Sequence, residues 1–307
     1  MLTPSQINEF HRNGFLNGGR IFSDDELDEL RADLSRLMEK GPDGFAADEP
    51  QPVLFRDMGS GKGRASQHPV WQIVNIWEAA PAFERLIYQP FIVKAISQLT
   101  NAPDLMVWHD QIQYKPANDG GATRWHQDAP LWPIILPMTP VSAWIPLDDT
   151  DEKNGCMWLV PGSHKWGDRI AFLRTQNHLT QREEFMNLQD FSPPADAEIT
   201  TVTPQPWPVK RGEVSFHHSL TWHGSPFNHS DRPRRAIAVH YMTGESRFVV
   251  SGEHVMKQFV ELEDGASMTE AGGHFPTVCR SGEPVGVPMQ PQESGKMKSG
   301  KPKRKSF

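Results

Sequence analysis

A chain of 307 residues, 37% hydrophobic and 22% charged, has the composition of a globular protein and is long enough for one large domain or two. A formal net charge of −7 argues against a surface built to neutralise nucleic-acid phosphates, and no apolar run reaches the length of a bilayer span. No N-terminal apolar stretch reads as a signal peptide, so a cytoplasmic address is expected; Cys156 and Cys279 are too few and too far apart for a disulfide framework. Small molecules are the expected partners, with neither nucleic acid nor membrane among them.

Thr3 and Pro4 supply a helix cap and a proline at the first helical position, with Ile7 and Phe10 one turn apart behind them. A second helix is predicted in "SDDELDELRADLSRLMEKG": Ser23 and Glu26 form a capping-box pattern, Leu27, Leu30, Leu34 and Leu37 form one stripe, and Gly41 stops it. A third helical region, roughly 81 to 100, is interrupted by Pro90. Beyond it the texture changes. "DLMVWHDQIQYKP" alternates, "VSAWIPL" and "CMWLVP" are short and rich in β-branched and aromatic residues, and "GEVSFHHSL" and "RAIAVHYM" continue the pattern between turn signals. Helices followed by many short strands predict an α+β domain with a mainly β core, a sandwich or barrel of jelly-roll type. Residues 177–200 read as a long excursion from that core, and long ordered loops often carry function. One domain is expected over 1–290. Residues 291–307, with six basic side chains in the last twelve, are expected to form a disordered basic tail.

Chemistry is concentrated in "TRWHQDAPLW", residues 123 to 132. If residues 123 to 128 are extended, His126 and Asp128 project on the same face and can share an ion. With a second histidine they would make the facial triad that holds Fe(II) and leaves three coordination positions open. The pair alone is a weak signal, since a surface or capping role fits it equally. The third ligand is sought in "GEVSFHHSLTWHGSPFNHSDRPRRAIAVHYM", where Gly212 and Glu213 look like a turn feeding a strand and His217, His218 and His223 compete. A strand histidine beside a metal site is more often a support for a ligand than a ligand itself.

This string resembles the iron(II)- and 2-oxoglutarate-dependent dioxygenases of the phytanoyl-CoA dioxygenase family. In that family an HxD pair is followed much later by a turn, a strand, a distal histidine in an HGS-like sequence, an asparagine, and an arginine eleven residues after the histidine. His126, Asp128, His223, Ser225, Asn228 and Arg234 match the pattern position by position, and the likeness extends to "LTPSQINEFHRNGFL" and to "SAWIPLDDTDEKNGCMWLVPGSHK".

The resemblance implies a double-stranded β-helix, or jelly-roll, with N-terminal helical support. It implies Fe(II) on His126, Asp128 and His223, with 2-oxoglutarate and O2 as cosubstrates. Arg234 would grip the far carboxylate of 2-oxoglutarate through its planar fork, with the Ser225 hydroxyl beside it. Trp144, Gln111 and Gln113 are further candidates for contact with the cosubstrate. Trp132, on a proline-bounded loop just past the metal pair, is the first candidate for contact with substrate, while Trp125 and Trp158 read more readily as core.

The reaction implied is hydroxylation of an unactivated C–H bond with release of succinate and CO2. A carboxylate at Asp128 argues against halogenation, because related halogenases carry a small residue there. A cupin-like isomerase or hydrolase using Zn(II) or Mn(II), and a non-catalytic module on the same fold, are the alternatives; Arg234 and Ser225 speak against the first and the intact ligand set against the second. The sequence presents no clear basic cradle for coenzyme A phosphates, and it does not specify the substrate or the oligomeric state.

Overall fold

The computed structural model describes residues 1–59, 66–188 and 190–288, so the expected basic tail at 291–307 lies outside the described residues. Helix α1 (Pro4–Asn13) starts at Thr3, whose side chain accepts from the Gln6 amide while the Gln6 side chain accepts from the Thr3 amide. Helix α2 (Asp24–Lys40) begins with the same reciprocal pairing between Ser23 and Glu26, and buries Leu27, Leu30, Leu34 and Leu37. The region predicted around 81 to 100 is divided at the proline into α3 (Pro81–Ile87) and α4 (Pro90–Thr100), and a short α5 (Ile170–Thr175) follows later.

Gly14 closes α1 at φ 86° and hands the chain to the first strand. A Cβ there would stand 2.5 Å from both His164 Nδ1 and Thr221 Oγ1. Gly14→Ala therefore combines a left-handed backbone with a steric clash, and is expected to cost about 1–3 kcal/mol, read as a lower urea midpoint at unchanged slope.

In chain order the strands are β1 (Phe15–Arg20), β2 (Leu54–Asp57), β3 (Trp71–Val74), β4 (Leu105–Lys115), β5 (Thr123–His126), β6 (Ile135–Leu136), β7 (Val141–Pro146), β8 (Met157–Leu159), β9 (Gln205–Trp207), β10 (Glu213–His218), β11 (His223–Ser225), β12 (Arg234–Thr243), β13 (Arg247–Phe248), β14 (Thr277–Arg280) and β15 (Glu283–Pro284). A large curled sheet runs β1-β10-β7-β12-β4-β14-β15, with β3 also on β4 and β2 on β3; a smaller sheet runs β5-β11-β8-β9. The pairings between named strands are antiparallel. This is the expected jelly-roll with its helical support.

Period-two alternation decides what each face of the large sheet does. On β12, Ile237, Val239 and Tyr241 join Ala143, Ile145, Val214 and Phe216 of neighbouring strands in the apolar cluster that receives the leucines of α2 and Ile92, Val93 and Ile96 of α4. The intervening residues, Arg234, Ala236, Ala238 and His240, line the other face, opposite the smaller sheet. Ala236, Ala238, Trp144, Met157 and Val209 pack between the two sheets. Helices thus cover one face and leave the other for a site.

The excursion at 177–200 packs Leu179, Phe185 and Leu188 with Trp125, Trp158, Trp166 and Trp222, so Trp125 and Trp158 are core residues of that side. Both cysteines are free and buried. Among the described residues no helix is long and apolar enough to cross a membrane.

Candidate metal and cosubstrate site

Strand β5 ends at His126, short of what the sequence pattern predicted. Asp128 is not extended: at φ −74° and ψ −52° it begins the short helical turn Ala129–Leu131. The amides of Asp128 and Ala129 both donate to the Ser219 carbonyl, at 2.9 and 3.1 Å, and this pins the turn to the loop between β10 and β11. The pair converges because the chain bends inward after His126, not because of strand alternation. His223 stands directly opposite His126 in the β11–β5 register. The result is one cluster: His126 Nε2 lies 3.5 Å and His223 Nε2 3.6 Å from Asp128 Oδ1, and the ligand atoms of the three residues fall within 4.8 Å of one another.

The donor set fits a divalent metal ion. His126 Nδ1 faces the Arg124 carbonyl at 2.8 Å and His223 Nδ1 the Thr221 carbonyl at 2.9 Å, so each ring places its proton on Nδ1 and turns the Nε2 lone pair to the cluster. Burial pushes the Asp128 carboxyl upward, but His223, His126 and His217 outweigh it and hold the group well below the usual carboxylate range. Asp128 is ionised, and the three side chains offer two imidazoles and one carboxylate.

A buried layer fixes Asp128 from behind. His217 Nε2 lies 3.1 Å from Asp128 Oδ2 and donates to it, whereas His218 points away, towards Phe10 and His164. Ser142 Oγ reaches the same oxygen at 3.5 Å and lies 2.6 Å from His240 Nδ1. Burial pushes His240 down to about 4, which keeps it neutral. Because Ser142 donates to Asp128 it accepts from His240 Nδ1–H, so His240 Nε2 accepts from Gln111. Gln111 in turn accepts from Gln72 at 2.6 Å, and Gln72 from Arg56 Nε at 3.0 Å. Hydrogen bonds therefore run in one direction from Arg56 across four strands to Asp128. His217→Phe is expected to weaken ferrous-ion affinity by about 10–100-fold without abolishing binding, measured by metal titration of the purified chain.

Arg234 begins β12 as predicted and is fully buried. Its Nε donates to the Gly155 carbonyl at 3.2 Å and its NH2 to Ser225 Oγ at 3.0 Å, and the Trp144 ring centroid lies 5.6 Å from the guanidinium carbon. Burial lowers Arg234 to about 10, so the charge remains at neutral pH. Among the described residues it has no acidic partner. Lys115, also fully buried, donates to the carbonyls of Ser225 and Pro226 at 3.0 and 2.6 Å and is held well below the usual lysine range by burial and then by Arg234. A fully buried guanidinium without a carboxylate partner makes a strong demand for an anion. A narrow cleft joins this anchor to the ligand cluster, lined by Trp144, Gln111, Gln113 and Ser225. Arg235, next in sequence, is spent on Asp148 through two bonds of 2.8 and 2.6 Å.

On the other side of the ligands opens a cavity of about 960 Å³. Trp132 forms part of its wall, with its ring centroid 4.6 Å from that of His240 and 5.6 Å from that of His109. Gln113 lines both spaces, and its side-chain amide makes no hydrogen bond among the described residues; Gln111 is already engaged. Sequence reasoning missed Lys115, Ser142, His240 and Thr123. Thr123 lines both spaces with a buried, unpartnered Oγ1. The available signal was alternation: Lys115 follows Gln111 and Gln113 on the inward face of β4. The Gly155 carbonyl, just before β8, holds Arg234. Asn228 is a clip, its amide donating to the Pro116 and Arg232 carbonyls at 2.8 and 2.7 Å just before β12.

Comparison with known proteins agrees with this geometry. The family model described as "Phytanoyl-CoA dioxygenase (PhyH)" matches residues 10–236. The peroxisomal phytanoyl-CoA dioxygenase of Rattus norvegicus is 25% identical over 272 residues, covering 86% of this chain and 76% of its own. The ectoine dioxygenase of Bordetella parapertussis is 27% identical over 252 residues, covering 80% and 77%. Among solved structures, the non-heme alpha-ketoglutarate-dependent carbocyclase SnoK from nogalamycin biosynthesis aligns with a TM-score of 0.66 at 22% identity, over 90% of this chain and 96% of its own. EctD from S. alaskensis, with 2-oxoglutarate and 5-hydroxyectoine, aligns with a TM-score of 0.60 at 20% identity, over 80% and 78%. At these identities the structural likeness establishes the fold.

Proposed function

Because the chain belongs to the phytanoyl-CoA dioxygenase family, and is an Fe(II)- and 2-oxoglutarate-dependent dioxygenase, we propose that it hydroxylates an unactivated C–H bond of a small organic molecule held in the cavity beside His126 and Asp128. The balanced reaction is R–H + 2-oxoglutarate + O2 → R–OH + succinate + CO2. His126, Asp128 and His223 would hold the iron, which when bound would supply the activation of dioxygen.

The chain's own residues do the rest. Arg234 keeps N–H groups free after serving the Gly155 and Gln113 carbonyls and Ser225, and these grip the far carboxylate of 2-oxoglutarate in a fork. Ser225 accepts from Arg234 and so turns its own proton to that carboxylate. Trp144 walls the anchor from water, and Gln113 offers the amide that Gln111 has already spent. His217 and Ser142 donate to Asp128 Oδ2, while Oδ1 faces His126 and His223 and would be the oxygen offered to a metal.

The observation that carries this reading is Arg234: a fully buried cation without an acidic partner, beside three metal-competent ligands. An isomerase or hydrolase on the same ligands has no use for it. The test is Fe(II)-dependent formation of succinate and CO2 from 2-oxoglutarate, with loss on chelation and recovery on adding ferrous ion. Absence of that turnover in iron-loaded protein overturns the assignment.

A further inference from the structure

We infer that the substrate is an amphipathic anion, a small molecule with an apolar body and a carboxylate or phosphate-type head group, received by the cavity of about 960 Å³. This rests on that cavity being the substrate site of the dioxygenase proposed above. Its volume falls within the range of small-molecule sites, roughly 300–1,000 Å³.

Three arginines from three separate elements line it: Arg56 of β2, Arg124 of β5 and Arg174 of α5. None of them forms an ion pair among the described residues. Many arginines elsewhere do reach an acid, among them Arg31, Arg85, Arg182, Arg232 and Arg235; Arg12, Arg169, Arg247 and Arg280 form no ion pair among the described residues, but they are scattered and none lines the cavity. The one carboxylate in the described lining is Asp128, and that is committed to the metal. An acidic protein that gathers three unpaired arginines round one concavity focuses positive potential on its mouth.

The placement suits a head group near the chemistry. Arg124 precedes His126 by two residues on β5, so a strand rise brings it about 7 Å from the ligand on the same face. Arg56 spends its Nε on Gln72, and its terminal nitrogens have no protein acceptor among the described residues, so they remain for a ligand. Leu131, Trp132, Ile170, Phe227 and Val255 give the wall apolar stretches, set among polar side chains such as Gln72, Gln113, Asn177 and Thr180. Those stretches offer a hydrocarbon body surface to bury against.

The test is calorimetric titration of the Fe(II)- and 2-oxoglutarate-loaded protein, without oxygen, using decanoate, decyl phosphate, decanamide and decyltrimethylammonium. At least one anion should bind about tenfold or more tightly than the amide, with the cation weakest, and the difference should shrink as salt is raised. A decanoate preference identifies a carboxylate head, and a decyl phosphate preference a phosphate one. The triple variant Arg56→Gln, Arg124→Gln, Arg174→Gln should lose the preference and keep its melting curve. If it fails to fold, the single changes at the exposed Arg124 and Arg174 should each reduce the preference. Equal binding of anion and amide by the wild type overturns the inference, as does a preference that survives the arginine changes. So does one that vanishes in Arg234→Leu instead, which would place the anion in the cosubstrate pocket. Failure of iron-dependent succinate formation sinks the dioxygenase reading by a separate measurement, so the two outcomes are distinguishable.

Discussion

Arg234→Leu is expected to raise the 2-oxoglutarate concentration for half-maximal turnover by about 30-fold or more, with ferrous-ion affinity little changed. A charged hydrogen-bonded pair in a desolvated pocket contributes about 2–5 kcal/mol to binding when one partner is truncated, and the lower figure already corresponds to about 30-fold. The unliganded protein responds differently. Arg234 is fully buried without an acid beside it, so leucine relieves a desolvated charge at the same time as it frees the Gly155 carbonyl and Ser225 hydroxyl. The variant should therefore lose most of the thermal stabilisation that 2-oxoglutarate gives the wild type, even where its own melting temperature changes little. Arg234→Lys should fall between, keeping the charge and losing the fork. Arg235→Leu is the control: it breaks the Asp148 pair, so its defect should appear in stability and not in cosubstrate affinity. A larger cosubstrate defect in the Arg235 variant would reverse the assignment.

His126→Ala, Asp128→Ala and His223→Ala should each abolish Fe(II)-dependent succinate formation while leaving the apo fold intact, as judged by circular dichroism and urea unfolding. The three side chains sit at the inner edge of the β5–β11 pair, outside the apolar clusters that carry the fold. Ferrous ion at a hundred times its dissociation constant adds about 2.7 kcal/mol to the wild type, an increment each variant should lack. His217 supplies the discriminating comparison, since it touches Asp128 and stays outside the three-residue cluster. Metal binding lost in His217→Ala and kept in His223→Ala would exchange their roles.

Much of this arrangement was legible in the sequence because it depends on local signals. The capping pairs at Thr3 and Ser23, the leucine stripe of α2 and the proline between α3 and α4 are each written within a few residues. Strand alternation likewise separates Ile237 and Val239 from Ala236 and Ala238. The sequence misled at Asp128, where extended backbone was the simplest way to align it with His126. The turn that does so is held by the Ser219 carbonyl, a distant partner that no local pattern announces. Lys115, Ser142 and His240 were missed for a related reason. Each is an unremarkable strand residue until the sheet order β7-β12-β4 brings them behind the site. The unpaired arginines of the cavity belong to β2, β5 and α5, and only the tertiary fold gathers them.

The register that sets His126 opposite His223 has a consequence for the chain as a whole. An ion bound between them is a removable cross-link joining two strands that are remote in sequence, and it closes a long loop in the way a disulfide would, though reversibly. The β5–β11 ladder is short and carries an irregularity between His223 and Ser225, so few hydrogen bonds hold it when the cross-link is absent. Loss of iron should accordingly be felt as faster amide exchange along 123–126 and 223–225, while the helix-backed large sheet keeps its protection. The same few residues then set both where oxygen reacts and how readily that edge of the protein opens.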